Sequence, residues 1–370
     1  MSQSSQNPNR PRYQQLADHF HQQIEAGLLK ANDQLAPEVD LATQFNVSRG
    51  TVRQALEVLV YQGLLQRTRG RGTFVTTVER PLQTMLIGVI IPHLQDPLST
   101  EILRGVEHTL RNNNCSIVFG HSEDNLELER HYLTTWLRED IQGLILFPTA
   151  DEEETMFLTE HVPPNLPLVI VDRELPQVMA DSVVVDNQGG AYQAIQHLLE
   201  TGHQRIACIT QPNRPSSVVE RINGYEQALR DAGILPLSPV HIPRFTNWSE
   251  TNQLTSLEKE LTLIDHLLAV RDRPTALFCI NDYIAFTIIR HVLAQGLRIP
   301  EDLSLVGFDD LPLTQHLPVP LTTIAQPRYE IGQRAATMLL EQLVGTATPG
   351  RRVVLPTQLI VRHSTCPPAS

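Results

Sequence analysis

Two periods of apolar residues divide the chain. Over the first seventy-six residues the period is helical: Leu16, Phe20 and Ile24 recur four apart in YQQLADHFHQQIEAGLL, a stretch that stops at Gly27. PEVDLATQF forms a second short helix that starts with Pro37, whose fixed φ suits a first helical position. A third helix follows Ser48, a favourable N-cap, with Val52, Ala55, Leu56 and Leu59 along one face. Arg49 and Arg53 lie four apart and share another face, so one side is made for burial and the other for an anionic partner. After Gly63, LLQRTRGRGTFV reads as a two-stranded ribbon with Arg69, Gly70, Arg71 and Gly72 at its tip. Glycine there permits the positive φ of a tight turn and close approach to a phosphate backbone.

From Leu86 the pattern changes. The apolar runs LIGVII, SIVFG, GLILF and LPLVIVD alternate with amphipathic stretches at 99–113 and 126–138. The alternation resumes after residue 186, with helices over 188–201, 219–232, 254–270 and 282–295 and strands at RIACIT, 239–242, ALFCI and LSLVGF. Continuous apolar strands between amphipathic helices mean parallel sheets covered on both faces, so residues 85–370 read as two α/β lobes. The polar stretch TTVERPLQT, which carries Pro81, reads as a linker over 77–84.

Charge sharpens this division. The chain of 370 residues has a net charge of −12, but its first 80 residues hold nine Arg and Lys against seven Asp and Glu. That head is net +2 and the remainder net −14, with five arginines and the single acid Glu57 between Arg49 and Arg71. An acidic body therefore carries a locally basic head, the distribution expected of a protein that meets nucleic acid at one end. Cys115, Cys208, Cys279 and Cys366 lack CxxC spacing and the histidines lack HExxH spacing, so no metal, cofactor or disulfide framework is expected. The polar start MSQSSQNPNRP is unlike a signal peptide, and MLIGVII at 85–91 is far shorter than a membrane span. A cytoplasmic protein without membrane association is the expectation.

The run LAPEVDLATQFNVSRGTVRQALEVLVYQGLLQRTRGRGTFV resembles the GntR-type winged helix-turn-helix family without a gap. The resemblance implies a DNA-binding domain over 1–76, with Ser48, Arg49, Thr51 and Arg53 as groove and phosphate contacts and Arg69, Gly70 and Arg71 on the wing. Two departures fall in the turn before the second helix, where the family usually has Gly at Asn32 and Pro-Ser at Ala36-Pro37. A further basic contact of the family, early in the second helix, is replaced here by Val39.

GHQRIACI, IPEDLSLVGFDDLP, PLTTIAQP and LPTQLIVRHST together resemble the LacI and ribose-binding-protein family, a likeness that covers essentially all of 84–366. It implies a two-lobed, periplasmic-binding-protein-like body with lobe crossovers near 185, 325 and 350, and with VVLPTQLIVR returning as a strand to the second lobe. Open parallel sheets bind ligands at the carboxyl ends of their strands. Carried over position by position, Asp96, Asp172, Arg173, Arg221, Asn281, Asp309 and Gln326 are the ligand's hydrogen-bonding residues, and Trp248 its stacking platform. Structural readings stand beside these: Asp172 and Asp309 follow strands and also suit caps, Arg221 suits a salt bridge, and Trp248 suits a core. Leu98 and Ser99 stand where many members have aromatics, and Val219 where many have a further arginine. Asp309 and Asp310 are adjacent and diverge at a strand end, with no second carboxylate expected to cooperate.

A GntR-type head on a LacI-type body is the arrangement of arabinose-repressor-type regulators. It implies a homodimeric repressor of carbohydrate-utilisation genes that binds double-stranded operator DNA and is released by a small sugar such as arabinose. The alternatives are a sugar-binding protein and a corepressor-dependent regulator answering to a non-sugar ligand. An enzyme body of the aminotransferase kind needs a cofactor-holding lysine, and Lys30 and Lys259 are the only two lysines in the chain. No catalytic residue is expected.

Overall fold

The computed structural model describes residues 11–61, 64–68, 71–76, 85–149, 152–175, 177–212, 215–242 and 254–369, and these fall into two units, Met1–Thr84 and Met85–Ser370. The linker 77–84, wing residues Arg69 and Gly70, and Trp248 lie outside the described residues.

In the first unit the helical period becomes α1 (Arg12–Glu25), α2 (Glu38–Gln44) and α3 (Arg49–Tyr61), followed by the antiparallel pair β1 (Leu65–Thr68) and β2 (Gly72–Val75). Leu16, Phe20, Leu41, Val52, Leu56 and Leu59 meet in one core, so the apolar stripes of the three helices close on each other. Asn32, where glycine is usual in the resembled family, takes φ 67° and donates its N–H to Val75 O at 2.9 Å. Asparagine tolerates this left-handed conformation better than most residues, so the turn keeps a glycine-like course. Gln34 makes a single antiparallel bridge to Phe74, which ties the turn before α2 to the ribbon. Its side chain packs on the ribbon: Nε2 donates to Arg71 O at 2.7 Å, and a methyl group on Gly72, which has φ +117°, would lie 2.5 Å from that nitrogen.

The second unit alternates strand and helix. Its first run is β3 (Met85–Ile91), α4 (Pro97–Arg111), β4 (Cys115–His121), α5 (Leu126–Arg138), β5 (Gly143–Leu146), α6 (Glu152–His161), β6 (Leu168–Val171) and β7 (Asp181–Val185). The second is α7 (Asn187–Glu200), β8 (Ile206–Thr210), α8 (Ser216–Asp231), β9 (Val240–His241), α9 (Leu254–Ala269), β10 (Ala276–Cys279), α10 (Asp282–Ala294), β11 (Ser304–Asp309) and β12 (Thr322–Ala325). α11 (Arg328–Leu343), β13 (Arg352–Leu355) and β14 (Gln358–Ile360) complete it. Two six-stranded sheets result, ordered β13-β7-β6-β5-β3-β4 in lobe 1 and β14-β12-β11-β10-β8-β9 in lobe 2. Every pairing is parallel except β12 with β14.

The chain passes between lobes after β7, after β12 and between β13 and β14. The run 353–362 is therefore not the single returning strand expected: β13 stays with β7 in lobe 1, and β14 pairs with β12 in lobe 2. Pro356, which has no N–H for a ladder, separates them, so the third crossing falls there and not near 350. Where α4 crosses α11, Gly105 and Gly332 let the backbones touch, since a methyl on Gly105 would lie 2.2 Å from Tyr329 O. β7 was not foreseen because it opens on a charge. Asp181 is nonetheless fully buried, accepting from Arg351 Nη2 at 2.6 Å and Gln342 Nε2 at 2.8 Å.

Candidate functional site

The head offers its polar face at the start of α3. Ser48 Oγ accepts from Thr51 N at 3.1 Å and shares a 2.8 Å hydrogen bond with Thr51 Oγ1, so these hydroxyls cap the helix and fix its first turn. Arg49 and Arg71 are exposed. Arg53 is also largely exposed but is engaged: its Nη2 lies 3.1 Å from Glu38 Oε2, while Glu38 Oε1 accepts from Arg67 Nη2 at 3.0 Å. The hydrogen bond to Glu38 raises the Arg53 pKa further above its ordinary value. Glu38 thus ties α2, α3 and β1 together, a role that a carboxylate in the first turn of a short helix does not reveal by itself.

In lobe 2 the candidate ligand residues gather at the carboxyl ends of the strands. Arg221, buried on α8, donates Nε to Asn187 Oδ1 at 2.9 Å and Nη1 to Ile280 O at 2.6 Å. The same Nη1 reaches Asp309 Oδ1 at 3.3 Å, and the guanidinium lies 3.8 Å over the Phe308 ring. Gln326 Nε2 donates to Asp309 Oδ1 at 2.6 Å. Asp309 is buried at the end of β11 with φ 117°, a conformation unfavourable for any residue but glycine and typical of functional turns. Burial pushes its carboxyl up to about 7; Arg221 opposes that rise, and the carboxylates of Asp96 and Asp172 add to it. Asp310 turns elsewhere, to Arg362 Nη2 at 2.6 Å.

A further buried carboxylate feels the charge of Asp309. Asp282, buried in the first turn of α10, accepts from Thr323 Oγ1 at 2.6 Å and Leu311 N at 2.8 Å. Burial first, and the Asp309 charge second, hold its carboxyl well above the usual range. Asn281, the neighbour of Asp282, is a ligand candidate from the sequence. Asn281 Oδ1 accepts from Ile284 N at 2.9 Å and so caps α10.

Lobe 1 contributes Asp96, Asp172 and Arg173. Asp96 caps α4, accepting from the backbone of Leu98 and Ser99 at 3.2 Å each. Tyr283, on the first turn of α10 in lobe 2, reaches across to donate its hydroxyl to Asp96 Oδ1 at 3.2 Å. It brings an aromatic ring to the start of α4, where Leu98 and Ser99 supply none. Burial, with Asp96 beside it, raises the Tyr283 pKa, so the phenol remains a donor. Asp172 is buried with φ 67°, and its Oδ1 has no hydrogen-bond partner. Arg173 Nη1 donates to Pro148 O at 2.6 Å and Thr149 O at 2.9 Å. Behind it, fully buried Glu129 accepts from Thr149 N at 3.0 Å and Thr149 Oγ1 at 2.6 Å, and burial pushes its carboxyl up to about 7.

A second set of contacts spans the lobes near the crossings. Arg352 on β13 pairs with Glu174 of lobe 1 and, at 3.3 Å, with Glu220 on α8 of lobe 2. Asn187 joins this set to the arginine above, donating Nδ2 to Glu220 Oε2 at 3.1 Å. Among the described residues there is no group of His, Cys, Asp and Glu able to hold a metal ion, and no helix is long and apolar enough to cross a membrane.

A winged helix with an arginine-bearing third helix, followed by a two-lobed body with polar side chains gathered at its strand ends, defines a DNA-binding regulator. Residues 12–75 match the gntR family of bacterial regulatory proteins, and 195–365 match the periplasmic binding protein-like domain. The chain is 33% identical over 354 residues to the HTH-type transcriptional repressor CytR of Escherichia coli (strain K12), covering 91% of this chain and 98% of that one. It is 29% identical to the arabinose metabolism transcriptional repressor of Geobacillus stearothermophilus, over 96% and 98% of the two chains. A LacI family regulator from Enterococcus faecium crystallised with bound ribose is 28% identical with a TM-score of 0.63, over 76% of this chain and 99% of that one. A lac repressor dimer bound to operator and an anti-inducer is 25% identical with a TM-score of 0.65, over 77% and 95%. The chain belongs to the family of bacterial transcriptional repressors that join a helix-turn-helix head to a periplasmic-binding-protein-like body, and its head is of the gntR type.

Proposed function

We propose that the protein is a homodimeric repressor of carbohydrate-utilisation genes, released from its operator when a small sugar occupies the body. The observation that carries this reading is the buried group of Arg221, Asp309 and Gln326 at the carboxyl ends of the lobe 2 strands, with Asp96 of lobe 1 accepting separately from Tyr283 of lobe 2. Sugar hydroxyls both donate and accept, and mixed carboxylate, amide and guanidinium groups answer both roles. Asp172 and Arg173 supply the lobe 1 side, Asn281 offers the end of its amide not used in capping, and Trp248 is the proposed stacking surface.

Two heads, one per protomer, would place Arg49, Arg53 and the wing residues Arg69, Gly70 and Arg71 on successive half-sites, with Ser48 and Thr51 setting the helix start. A ligand shifts such a switch only by binding one state better than the other. Contacts made from both lobes at once provide that difference, because only a closed cleft satisfies them together. Arabinose and ribose are the first effectors to try, since these sugars occur in the names of relatives. In a gel-shift assay, Asp309→Asn is expected to hold operator DNA as the parent does and to ignore sugar at concentrations that release the parent. Normal release of that variant would remove the body residues from the reading.

A further inference from the structure

We propose that Arg352 is a lobe-positioning residue: it clasps the two lobes by holding Glu174 of lobe 1 and Glu220 of lobe 2 against their mutual repulsion. The clasp stands on its own contacts. Only its consequence for a ligand rests on the body being the effector site.

Arg351 and Arg352 are adjacent at the start of β13, and their side chains diverge. Arg351 stays within lobe 1, where Asp181 and Glu341 hold it. Arg352 stands at the lobe boundary. Its guanidinium pairs with Glu174, in the loop after β6, and its Nη2 donates to Glu220 Oε1 on α8 at 3.3 Å. The Glu174 backbone crosses the same boundary, its N–H donating to Ser216 Oγ at the start of α8 at 2.7 Å. One cation therefore serves two carboxylates that approach from opposite lobes. Burial first, and the Glu174 charge with it, raise the Glu220 pKa, while Asn187 and Arg352 oppose the rise. Without the arginine, two like charges face each other across the boundary.

The clasp adjoins the strand-end group. Asn187 donates Nδ2 to Glu220 Oε2 at 3.1 Å and accepts from Arg221 Nε at 2.9 Å, so the lobe boundary and the buried arginine share one hydrogen-bonded run. Lobes already held at this edge have less freedom to lose when a ligand touches both. All three charged side chains of the clasp are partly exposed, so salt screens their interaction.

The test is amide hydrogen exchange of the full-length protein without ligand, resolved to single residues by fragmentation, so its outcome is independent of which effector the body takes. The Glu174 N–H reports the boundary, because its acceptor is on the other lobe. The Asp172 N–H donates to Val183 O within lobe 1 at 3.0 Å and reports the lobe itself. Arg352→Ala is expected to quicken exchange at Glu174 about threefold or more and to leave Asp172 as in the parent. Adding Glu220→Gln removes one of the two facing charges, keeps an acceptor for Asn187, and should restore most of the lost protection. Salt gives the sign of the interaction. Sodium chloride should quicken exchange at Glu174 in the parent, where it screens an attraction, and slow it in Arg352→Ala, where it screens a repulsion. Equal exchange at Glu174 in the parent and Arg352→Ala overturns the inference, as does a loss that Glu220→Gln leaves in place or a salt response of the same sign in both proteins. If Arg352→Ala loosens the whole lobe, Asp172 quickens together with Glu174, and the parent alone decides: exchange at Glu174 that salt does not quicken overturns the clasp.

Discussion

The arginines of the head and the arginines of the body are put to opposite uses. Arg49, Arg53 and Arg71 stand on the surface, where the only carboxylate holding one of them is Glu38 among the described residues. Arg221, at 5% exposure, is enclosed by a carboxylate, an amide, a carbonyl and an aromatic ring. An exposed guanidinium contributes little to folding and remains available to an anionic partner. A buried one organises its neighbours, and its loss strands them. The same residue type therefore marks the proposed output of this regulator in one domain and the frame of its proposed input in the other.

The largest effect follows from breaking that frame. Arg221→Ala leaves Asp309 buried without its cation and Asn187 Oδ1 and Ile280 O without a donor, so urea unfolding of the body should show a loss of about 3–5 kcal/mol. Arg221→Lys keeps the charge but cannot point in the three directions observed, and should recover only part of this. A loss below about 1 kcal/mol for the alanine variant would mean that the network is not holding the lobe. Arg49→Ala is the converse. Its stability should match the parent within about 0.5 kcal/mol, while operator affinity falls by about 1–3 kcal/mol if the side chain reads a base edge. Unchanged affinity in a gel-shift titration would take Arg49 out of the interface.

A smaller effect comes from buried acids. Glu129 and Asp309 have folded-state pKa values raised to about 7, mainly by burial. Their contribution to stability is full below the unfolded value of about 4 and is lost as pH rises through about 7. Glu129→Gln removes one of the two titrations and keeps an acceptor for Thr149. Between pH 4.5 and 7.5 its stability should fall less than the parent's, by on the order of 1–3 kcal/mol, in chemical denaturation followed at several pH values. Parallel curves for the two proteins would show that Glu129 ionises normally in the fold.

The contrast between domains also explains which features were legible in the sequence. The head was readable because its apolar stripe and arginine face are both local, and the strand-end residues Asp172 and Asp309 because each directly follows an apolar run. Three elements escaped, the first being β12, whose TTIA is too short and too polar to stand out as an apolar run. α6 opens on three glutamates with little apolar period, and β7 opens on Asp181, whose partner Arg351 lies 170 residues away. Glu129 sits in LELER and reads as a solvated helix acid, while Asp282 reads as a helix-start charge. Their burial is decided by packing between distant segments, which no local pattern encodes. Asp96 and Asn281 show the reverse: chosen for ligand contacts, they are found capping helices, a role that their type and place at a helix start also encode.

The finest distinction concerns Arg53, which belongs to the exposed set but is not free. Glu38 holds it together with Arg67, so the three side chains could be either a structural brace or a guanidinium positioned for a phosphate. Counting released ions separates these. Each phosphate neutralised contributes a slope of about −0.9 to log affinity against log salt. Arg53→Ala should therefore make the slope about one unit shallower if the arginine leaves or shares Glu38 to meet the backbone, with affinity reduced evenly across operator sequences. If it is only a brace, the slope stays that of the parent and Glu38→Gln reproduces whatever loss of affinity remains. An intact slope would then move Arg53 from the output surface to the frame, and leave Arg49 and the wing to hold the DNA.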